Sequence, residues 1–391
     1  MRLRISEVQE QLKAMRIDGW LLYDFQGLNP IAQTLLGLRG TMLTRRWFFW
    51  IPQQGEAHIL CHRIEKQGFE KLSAQVTHFS SWQEMEVGLE KLLQESLRVA
   101  MEYSPHCLIP YVSRVDAGTL EMVRHLGKQV LSSADLVQYF EARWSQDQLE
   151  THLQASKLMM RVLFEVLTEV SQATKNHQPL TEYQVQQSML QKYHEQGLQS
   201  DSPPIVAVNQ NSSTPHYEPS LEKSSSISRG DVLLIDFWAK LFKSDSVYAD
   251  YTWVAFLGDM VPESVLRVWE VVREARERAV DFVQSKYTAG TVVRGWEVDR
   301  ATRQVISQAG FGEFFIHRTG HSIGEKDHGN GANMDNLETK DERVLIPKTC
   351  FSIEPGVYLP DFGIRSELNI YLGERDILVT GDPIQQEIEK I

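Results

Sequence analysis

FFIHRTGHSIG, residues 314–324, sets His317 and His321 four positions apart, the interval that on a helix turns two imidazoles to one face. The residues around them argue against that helix. Phe314, Phe315 and Ile316 lead the segment, while Gly320 and Gly324 flank the second histidine. An aromatic and β-branched run broken by glycines predicts strand and turn. The partners of these histidines must then come from other strands, so the fold turns on finding ligand-type residues in strand-like stretches elsewhere.

Two stretches supply them. In LLIDFWAKLFKSDSVYADYTWVAFLG (233–258), Asp236 ends an apolar strand run, and Asp250 sits in a second one between Tyr248 and WVAFLG. A carboxylate in such a run is costly unless its charge is compensated; taken singly, each also reads as a strand-end or turn aspartate. In FSIEPGVYLPDFGIRSELNIYL (351–372), Glu354 terminates a strand ahead of Pro355-Gly356. Period-two alternation puts Arg365, Glu367 and Asn369 on one face and Ile364, Leu368 and Ile370 off it. An Arg365–Glu367 pair is one account of that charged row. Four strand-borne carboxylates with a glycine-flanked histidine have another. Hard oxygen donors plus one imidazole suit a pair of divalent ions such as Mn²⁺, Co²⁺ or Zn²⁺. Two such ions acidify a water held between them, which is hydrolytic chemistry.

The surrounding sequence predicts helices packed on these strands. SQDQLETHLQASKLMMRVLFEVLTEV, from Ser145, places Leu149, Leu153, Met160, Leu163, Leu167 and Val170 at helical steps, with Ser145 and Gln148 suited to a capping box. Further helices follow Thr181 and span 264–284 and about 296–309, the last stopping at Gly310. Strands are expected at 231–237, 247–257, 350–358 and 363–371. This is an α+β domain on a mostly antiparallel sheet, assigned to 145–391. Residues 1–144 read as a smaller α/β domain. Its first helix is capped by Ser6 and Gln9, carries Val8, Leu12 and Met15 on its apolar face and ends at Gly19. Strands are expected at 20–25, 47–52, 57–61 and 97–103, with a helix at 82–97.

At 391 residues the chain has room for two full cores. A net charge of −12 with no basic block argues against a nucleic-acid partner. Cys61, Cys107 and Cys350 are dispersed, which excludes a disulfide framework and a cysteine metal site and fits a reducing compartment. MRLRISEVQEQLK has no apolar run of signal length, and no stretch reaches membrane-spanning length. A cytoplasmic protein without membrane contact is expected. The uncharged run FQGLNPIAQTLLGL (25–38) is hard to place wholly inside a domain of this size, and with WFFWIP (47–52) it motivates an expected homodimer.

The order Asp236, Asp250, His321, Glu354, Glu367, with GHSIG, IEPG and GIRSE as local motifs, resembles the pita-bread metallopeptidases, peptidase family M24. That family includes methionine aminopeptidase, aminopeptidase P and prolidase. The resemblance spans about residues 145–375, and the N-terminal segment looks more loosely like the creatinase/prolidase-type N-terminal domain. It implies a C-terminal pita-bread fold and two divalent ions per subunit, Mn²⁺ first, with Co²⁺ or Zn²⁺ as alternatives. Asp236 would serve one ion, Asp250 and Glu367 would bridge, and His321 and Glu354 would complete the second. Glu354 would also be the general base. His317, His328 in EKDHGNG and His216 in SSTPHYEP resemble substrate-site histidines, His317 and His328 with catalytic roles. Arg365 resembles the arginine that holds a ligand carboxylate in place.

The implied activity is hydrolysis of the Xaa-Pro bond of short proline-containing peptides, as aminopeptidase or dipeptidase. A creatinase-like amidinohydrolase or a non-catalytic peptide-binding member are the alternatives, and the complete ligand set speaks against both. Four positions depart from the family pattern. Trp238 stands where glycine is usual, and Asp236 and Asp250 are 14 apart (250 − 236), so the hairpin between them carries an insertion. Thr252-Trp253-Val254 replaces T-R-T, and Asn209 replaces a glycine before the His216 loop. These changes bear on substrate preference rather than on the ligands.

Overall fold

The computed structural model describes residues 3–391. One compact unit ends at Glu141 and a second runs Ala142–Ile391.

The first unit is built on a six-stranded sheet ordered β4-β3-β2-β1-β5-β6. The strands are β1 (Gly19–Asp24), β2 (Trp47–Pro52), β3 (His58–His62), β4 (Gln75–Phe79), β5 (Arg98–Met101) and β6 (Gln129–Ser132). Only β2 runs against its neighbours β1 and β3; the remaining pairs are parallel. The helices are α1 (Ile5–Met15), α2 (Pro30–Leu36), α3 (Trp82–Leu93), α4 (Ala117–His125) and the short α5 (Ala134–Val137). β2 is buried on both faces: Trp47, Phe49 and Ile51 enter one apolar cluster, and Phe48 and Trp50 the other. That explains its unbroken apolar sequence.

Three sequence expectations fail here. Ser6 does not cap α1, which starts at Ile5 with Arg4 before it and no side-chain cap. Gln9 Nε2 donates instead to the Pro52 and Gly55 carbonyls. The helix ends at Met15 with Arg16 in the left-handed region, and Gly19 opens β1. The 25–38 run is not an exposed patch either. Ile31, Ala32, Leu35, Leu36 and Leu38 are buried in the unit's own core, and of the run's large hydrophobic side chains Leu28 is the exposed one.

In the second unit, α6 (Gln146–Lys175) and α7 (Glu182–Glu195) each begin with a capping box, Ser145 with Gln148 and Thr181 with Gln184. Next come β7 (Leu198–Gln199), β8 (Ile205–Val208), β9 (Val232–Leu241) and β10 (Ala249–Phe256), then α8 (Glu263–Thr288) and α9 (Gly295–Gln308). The chain closes with β11 (Ser322–Ile323), β12 (Cys350–Ile353), β13 (Gly356–Tyr358), β14 (Gly363–Arg365), β15 (Leu368–Leu372), β16 (Ile377–Thr380) and β17 (Glu389–Lys390). β9 lies at the centre of one sheet, paired with β10, β7 and β8; β11-β12-β15-β16 form a second, and β13-β14 pair alone. All these pairs are antiparallel except β10 with β17. The architecture is α+β with helices on mostly antiparallel sheets. Among the described residues no helix is long and apolar enough to cross a membrane.

Register on β9 and β10 decides which side chains meet. Asp236 pairs with Thr252 and Trp238 with Asp250, so these four share one face. Phe237, Ala239, Tyr251 and Trp253 take the other face and pack with α6 and α7 residues such as Leu163 and Met189. Trp253 therefore lies in the core, edge-on to Phe164 at 5.4 Å, while Trp238 is on the carboxylate face.

Candidate active site

The FFIHRTGHSIG segment contains no α-helix: a 3₁₀ turn at Gly312–Phe314 gives way to an extended stretch ending in β11. Gly320 is required there. A Cβ at that position would lie 1.9 Å from the Ser352 carbonyl oxygen, so any side chain would force the segment off β12. The close approach seats His321 N–H on Ser352 Oγ at 3.0 Å, and Ser352 Oγ in turn donates to Glu354 Oε1 at 3.1 Å. Glu354 N–H donates to the Thr319 carbonyl at 2.7 Å. Histidine and glutamate are thus held by one small network.

Asp236 lies within β9 rather than at its end, and Asp250 near the start of β10. Glu354 follows β12 directly, and Glu367 falls between β14 and β15. The strands expected at 350–358 and 363–371 are each interrupted at the glutamate, where Pro355 offers no N–H to a ladder. Asn369 ties the two sheets together: its side chain accepts from Asp250 N–H at 3.1 Å and donates to the Asp250 carbonyl at 2.7 Å.

The five expected ligand residues meet in this cluster. His321 Nε2 is 3.3 Å from Asp250 Oδ2 and 3.4 Å from Glu354 Oε1. Asp250, His321 and Glu367 each offer a donor atom within 4.8 Å of one another. Thr252 Oγ1 lies 3.1 Å from Asp236 Oδ1 and 2.8 Å from Glu367 Oε2, and accepts from Arg365 Nε at 2.9 Å. Arg365 pairs with Asp236, not with Glu367. Asp236, Asp250, His321 and Glu367 are all at least nine-tenths buried.

The electrostatics of this cluster are lopsided. Burial raises the Asp236 carboxyl despite the neighbouring Arg365 guanidinium. Burial, then Asp327, Glu367, Asp236 and Glu354, push Asp250 well above the carboxylate range. Burial followed by Glu354 and Asp236 does the same to Glu367, and burial lifts Glu354 to about 7. Burial keeps His321 neutral. Its Nδ1 faces the Ser322 carbonyl at 3.3 Å, which can only accept, so Nδ1 carries the hydrogen and Nε2 presents a lone pair. The His321 Nε2 lone pair therefore converges with Asp250 Oδ2 and Glu354 Oε1, acidic oxygens that repel one another unless a proton or a cation lies among them. Asp250 Oδ1 and Glu367 Oε1 are buried without any hydrogen-bond partner. Repelling carboxylates, orphaned oxygens and an imidazole lone pair form a donor set that fits divalent cations.

The three histidines expected to line the substrate site occupy different settings. His317 Nδ1 donates to the Arg318 carbonyl at 2.7 Å, so Nε2 must accept from the Tyr358 hydroxyl at 2.8 Å. Burial and then Arg365 lower its pKa to about 3, leaving it neutral. Tyr358 accepts from Arg365 Nη1 at 3.2 Å, so the hydroxyl couples His317 to the arginine that pairs with Asp236. His328 stands over His321, with ring centroids 4.1 Å apart, and its side chain is 54% exposed. His216 is exposed, yet near enough to act electrostatically on both Asp236 and His328.

Sequence reasoning passed over five residues here. Thr252 was legible as the residue two after Asp250 on the same strand face, and Asn369 as the residue two after Glu367. Asp327 adjoins a histidine already singled out. For Tyr358 and Ser352 the sequence carries no signal beyond their place beside Glu354.

A sequence model of metallopeptidase family M24 matches residues 150–374, which contain every residue of the cluster. An Xaa-Pro dipeptidase from Lactobacillus delbrueckii subsp. lactis is 30% identical over 171 residues, 44% of this chain and 42% of that protein. The chain thus spans less than half the length of the curated relatives it matches. Among solved structures, dipeptidase PepE from Mycobacterium ulcerans superposes with a TM-score of 0.72 at 21% identity, covering 99% of this chain and 96% of that one. X-prolyl aminopeptidase from Caenorhabditis elegans, a cytosolic enzyme with a di-nuclear active site, gives a TM-score of 0.66 at 17% identity, covering 94% of this chain and 59% of that one. At these identities the structural matches speak for the fold.

Proposed function

The chain belongs to metallopeptidase family M24, and on that premise we propose that it is a dinuclear metal-dependent exopeptidase cleaving the Xaa-Pro bond of short peptides. The observation that carries the reading is the buried meeting of His321 Nε2, Asp250 and Glu354, beside the unpartnered oxygens of Asp250 and Glu367. The substrate class is supported by the matched sequence relative that is an Xaa-Pro dipeptidase.

In this reading Asp236 would hold one ion, Asp250 and Glu367 would be shared by both, and His321 and Glu354 would complete the second. Mn²⁺ is the first candidate; Co²⁺ and Zn²⁺ are also compatible with so many carboxylates. When bound, the ions supply Lewis-acid polarisation and an acidified water at neutral pH. The remaining work falls to the protein. Glu354, its Oε1 fixed by Ser352, accepts the proton of the attacking water and returns it to the leaving nitrogen. Arg365 and Thr252 hold Asp236 and Glu367 in place. His317, with both ring nitrogens engaged, forms a fixed wall of the substrate site, while the exposed His328 and His216 meet the peptide. Cytoplasmic placement and a homodimer complete the proposal. The dimer now rests on family resemblance alone, because the 25–38 run lies in its own unit's core.

Chelator-stripped protein reloaded with each ion tests the reading on an Xaa-Pro dipeptide, an Xaa-Pro-Xaa tripeptide and a Met-Ala peptide. About two ions per chain are expected, with turnover confined to the prolyl substrates. An Asp250→Ala protein that loads as much metal as wild type would refute the ligand assignment, because a bridging carboxylate serves both ions.

A further inference from the structure

The loop between β11 and residue 331 brings a fifth carboxylate to the cluster. Its ends are pinned by backbone hydrogen bonds: Tyr248 N–H to the Gly324 carbonyl at 2.9 Å, and Gly329 N–H to the Ser322 carbonyl at 2.6 Å. Within it, Gly324 N–H donates to the Lys326 carbonyl at 3.0 Å and makes a tight turn. Lys240 Nζ holds the Glu325 carbonyl at 2.7 Å, and Lys326 Nζ pairs outward with Asp201 at 2.6 Å. The turn that sends Lys326 out sends Asp327 in.

Asp327 Oδ1 is buried and makes no hydrogen bond. Oδ2 lies 3.8 Å from His328 Nε2, beyond hydrogen-bond range. The carboxyl reaches that of Asp250, whose own Oδ1 is buried and unpartnered on a side chain only 6% exposed. Donor atoms of His321, Asp327 and His328 all lie within 4.8 Å of one another, and His321 is shared with the Asp250–Glu367 group. The Arg365 guanidinium is taken by Asp236. Two carboxylates facing each other repel unless a proton or a cation lies between them.

We propose that Asp327 is a ligand of the cation centre, adding a carboxylate oxygen to the ion that His321 holds. The proposal rests on the dinuclear reading above and extends its ligand set by a residue that no motif in this chain points to. The additional anionic oxygen raises affinity for that ion and favours the harder Mn²⁺ over Zn²⁺. His328, more than half exposed, stays at the mouth of the site.

The test is Asp327→Asn, which keeps shape and removes charge. Stripped wild type and variant are titrated with Co²⁺, Mn²⁺ and Zn²⁺ by calorimetry, and the visible d–d spectrum of each Co²⁺ form is recorded. One of two ions should bind at least about tenfold more weakly in the variant, with a smaller Mn²⁺-over-Zn²⁺ preference and a Co²⁺ spectrum altered by the lost ligand. Unchanged affinity and spectrum in a variant that still binds two ions would overturn the proposal and leave the dinuclear reading intact. Weakened binding with an unchanged spectrum would also overturn it, by making Asp327 a neighbour acting through Asp250. Wild type binding fewer than two ions would instead remove the reading beneath it. Should Asp327→Asn fold poorly by near-ultraviolet circular dichroism, Asp327→Ser carries the same comparison.

Discussion

Thr252→Val deletes one hydroxyl from the centre of the carboxylate cluster at nearly constant shape, and its cost can be worked from the contacts. Thr252 Oγ1 has a single hydrogen, which goes to the nearer acceptor, Glu367 Oε2 at 2.8 Å, while the oxygen accepts from Arg365 Nε at 2.9 Å. The bond from Arg365 is charge-assisted, at about 1.5–3 kcal/mol, while losing the bond to Glu367, whose carboxyl burial and Glu354 hold well above the usual range, leaves a buried group unsatisfied at about 1–3 kcal/mol. Arg365 retains Asp236 and Tyr358, so its share of the loss is small. Glu367 retains nothing, since Oε1 is already unpartnered. The expected destabilisation of chelator-treated protein is therefore about 3 kcal/mol, carried mainly by Glu367. In the metal-loaded protein the loss should shrink, because a cation satisfies Glu367, and it should reappear as a ten- to hundredfold weaker metal affinity. Guanidinium unfolding of stripped and loaded protein, with calorimetric titration of the ion, measures both halves. A stripped variant within about 0.5 kcal/mol of wild type, with unchanged affinity, would refute the role given to this hydroxyl.

Three further outcomes are expected. Glu354→Gln should keep the fold and bind metal yet lose turnover, because an amide cannot accept the proton; wild-type rates at saturating metal would show that Glu354 is not the base. In the first unit, burial raises Glu102 to about 7 against the donors Trp20, Asn29 and Ser133. Its folded pKa lies above the unfolded value, so its contribution to stability is complete below about pH 4.5 and is lost as pH rises through 7. The swing is of order 3 kcal/mol, and a guanidinium midpoint whose difference between pH 5 and pH 8 is the same in Glu102→Gln as in wild type would count against it. Light scattering at micromolar concentration should give about twice the 44.9 kDa chain mass, and a concentration-independent monomer would end the dimer proposal.

The helices and the aspartate hairpin were legible because their signals are local. The capping pattern at Ser145 marks the start of α6 to the residue, the helix expected after Thr181 is α7, and apolar runs mark β9 and β10. The failures have equally local causes. Ser6 matched the capping pattern, but Gln9 found better acceptors across the unit in β2 and the turn after it, a competition that sequence spacing cannot reveal. The 25–38 run looked too apolar to hide, yet α2 and its flanks fill one face of the six-stranded sheet. Trp253 reads in sequence as a neighbour of the ligands, and strand parity puts it on the opposite face.

What sequence periodicity could not provide is the way the two glutamates come to face each other. β12 pairs Ile353 with Leu368, and β13 pairs Gly356 with Arg365. Carried across the gap, that register sets Glu354 opposite Glu367 and Pro355 opposite Ser366, and a Ser366 N–H to Pro355 carbonyl bond at 3.3 Å spans it. The ribbon is interrupted at two residues on each strand, so alternation survives on either side and fails at the two glutamates. Directly opposed like charges destabilise a strand pair. The aspartates repeat the arrangement diagonally, Asp236 beside the Trp238–Asp250 pair. Thr252 to Glu367 and Asn369 to Asp250 then bring the two sheets' acidic pairs face to face. A strand pair that merely had to be stable would separate four such carboxylates. Here the β9–β10 ladder, the interrupted ribbon and the bonds between sheets all hold them together, a geometry that is favourable once protons or cations lie between them.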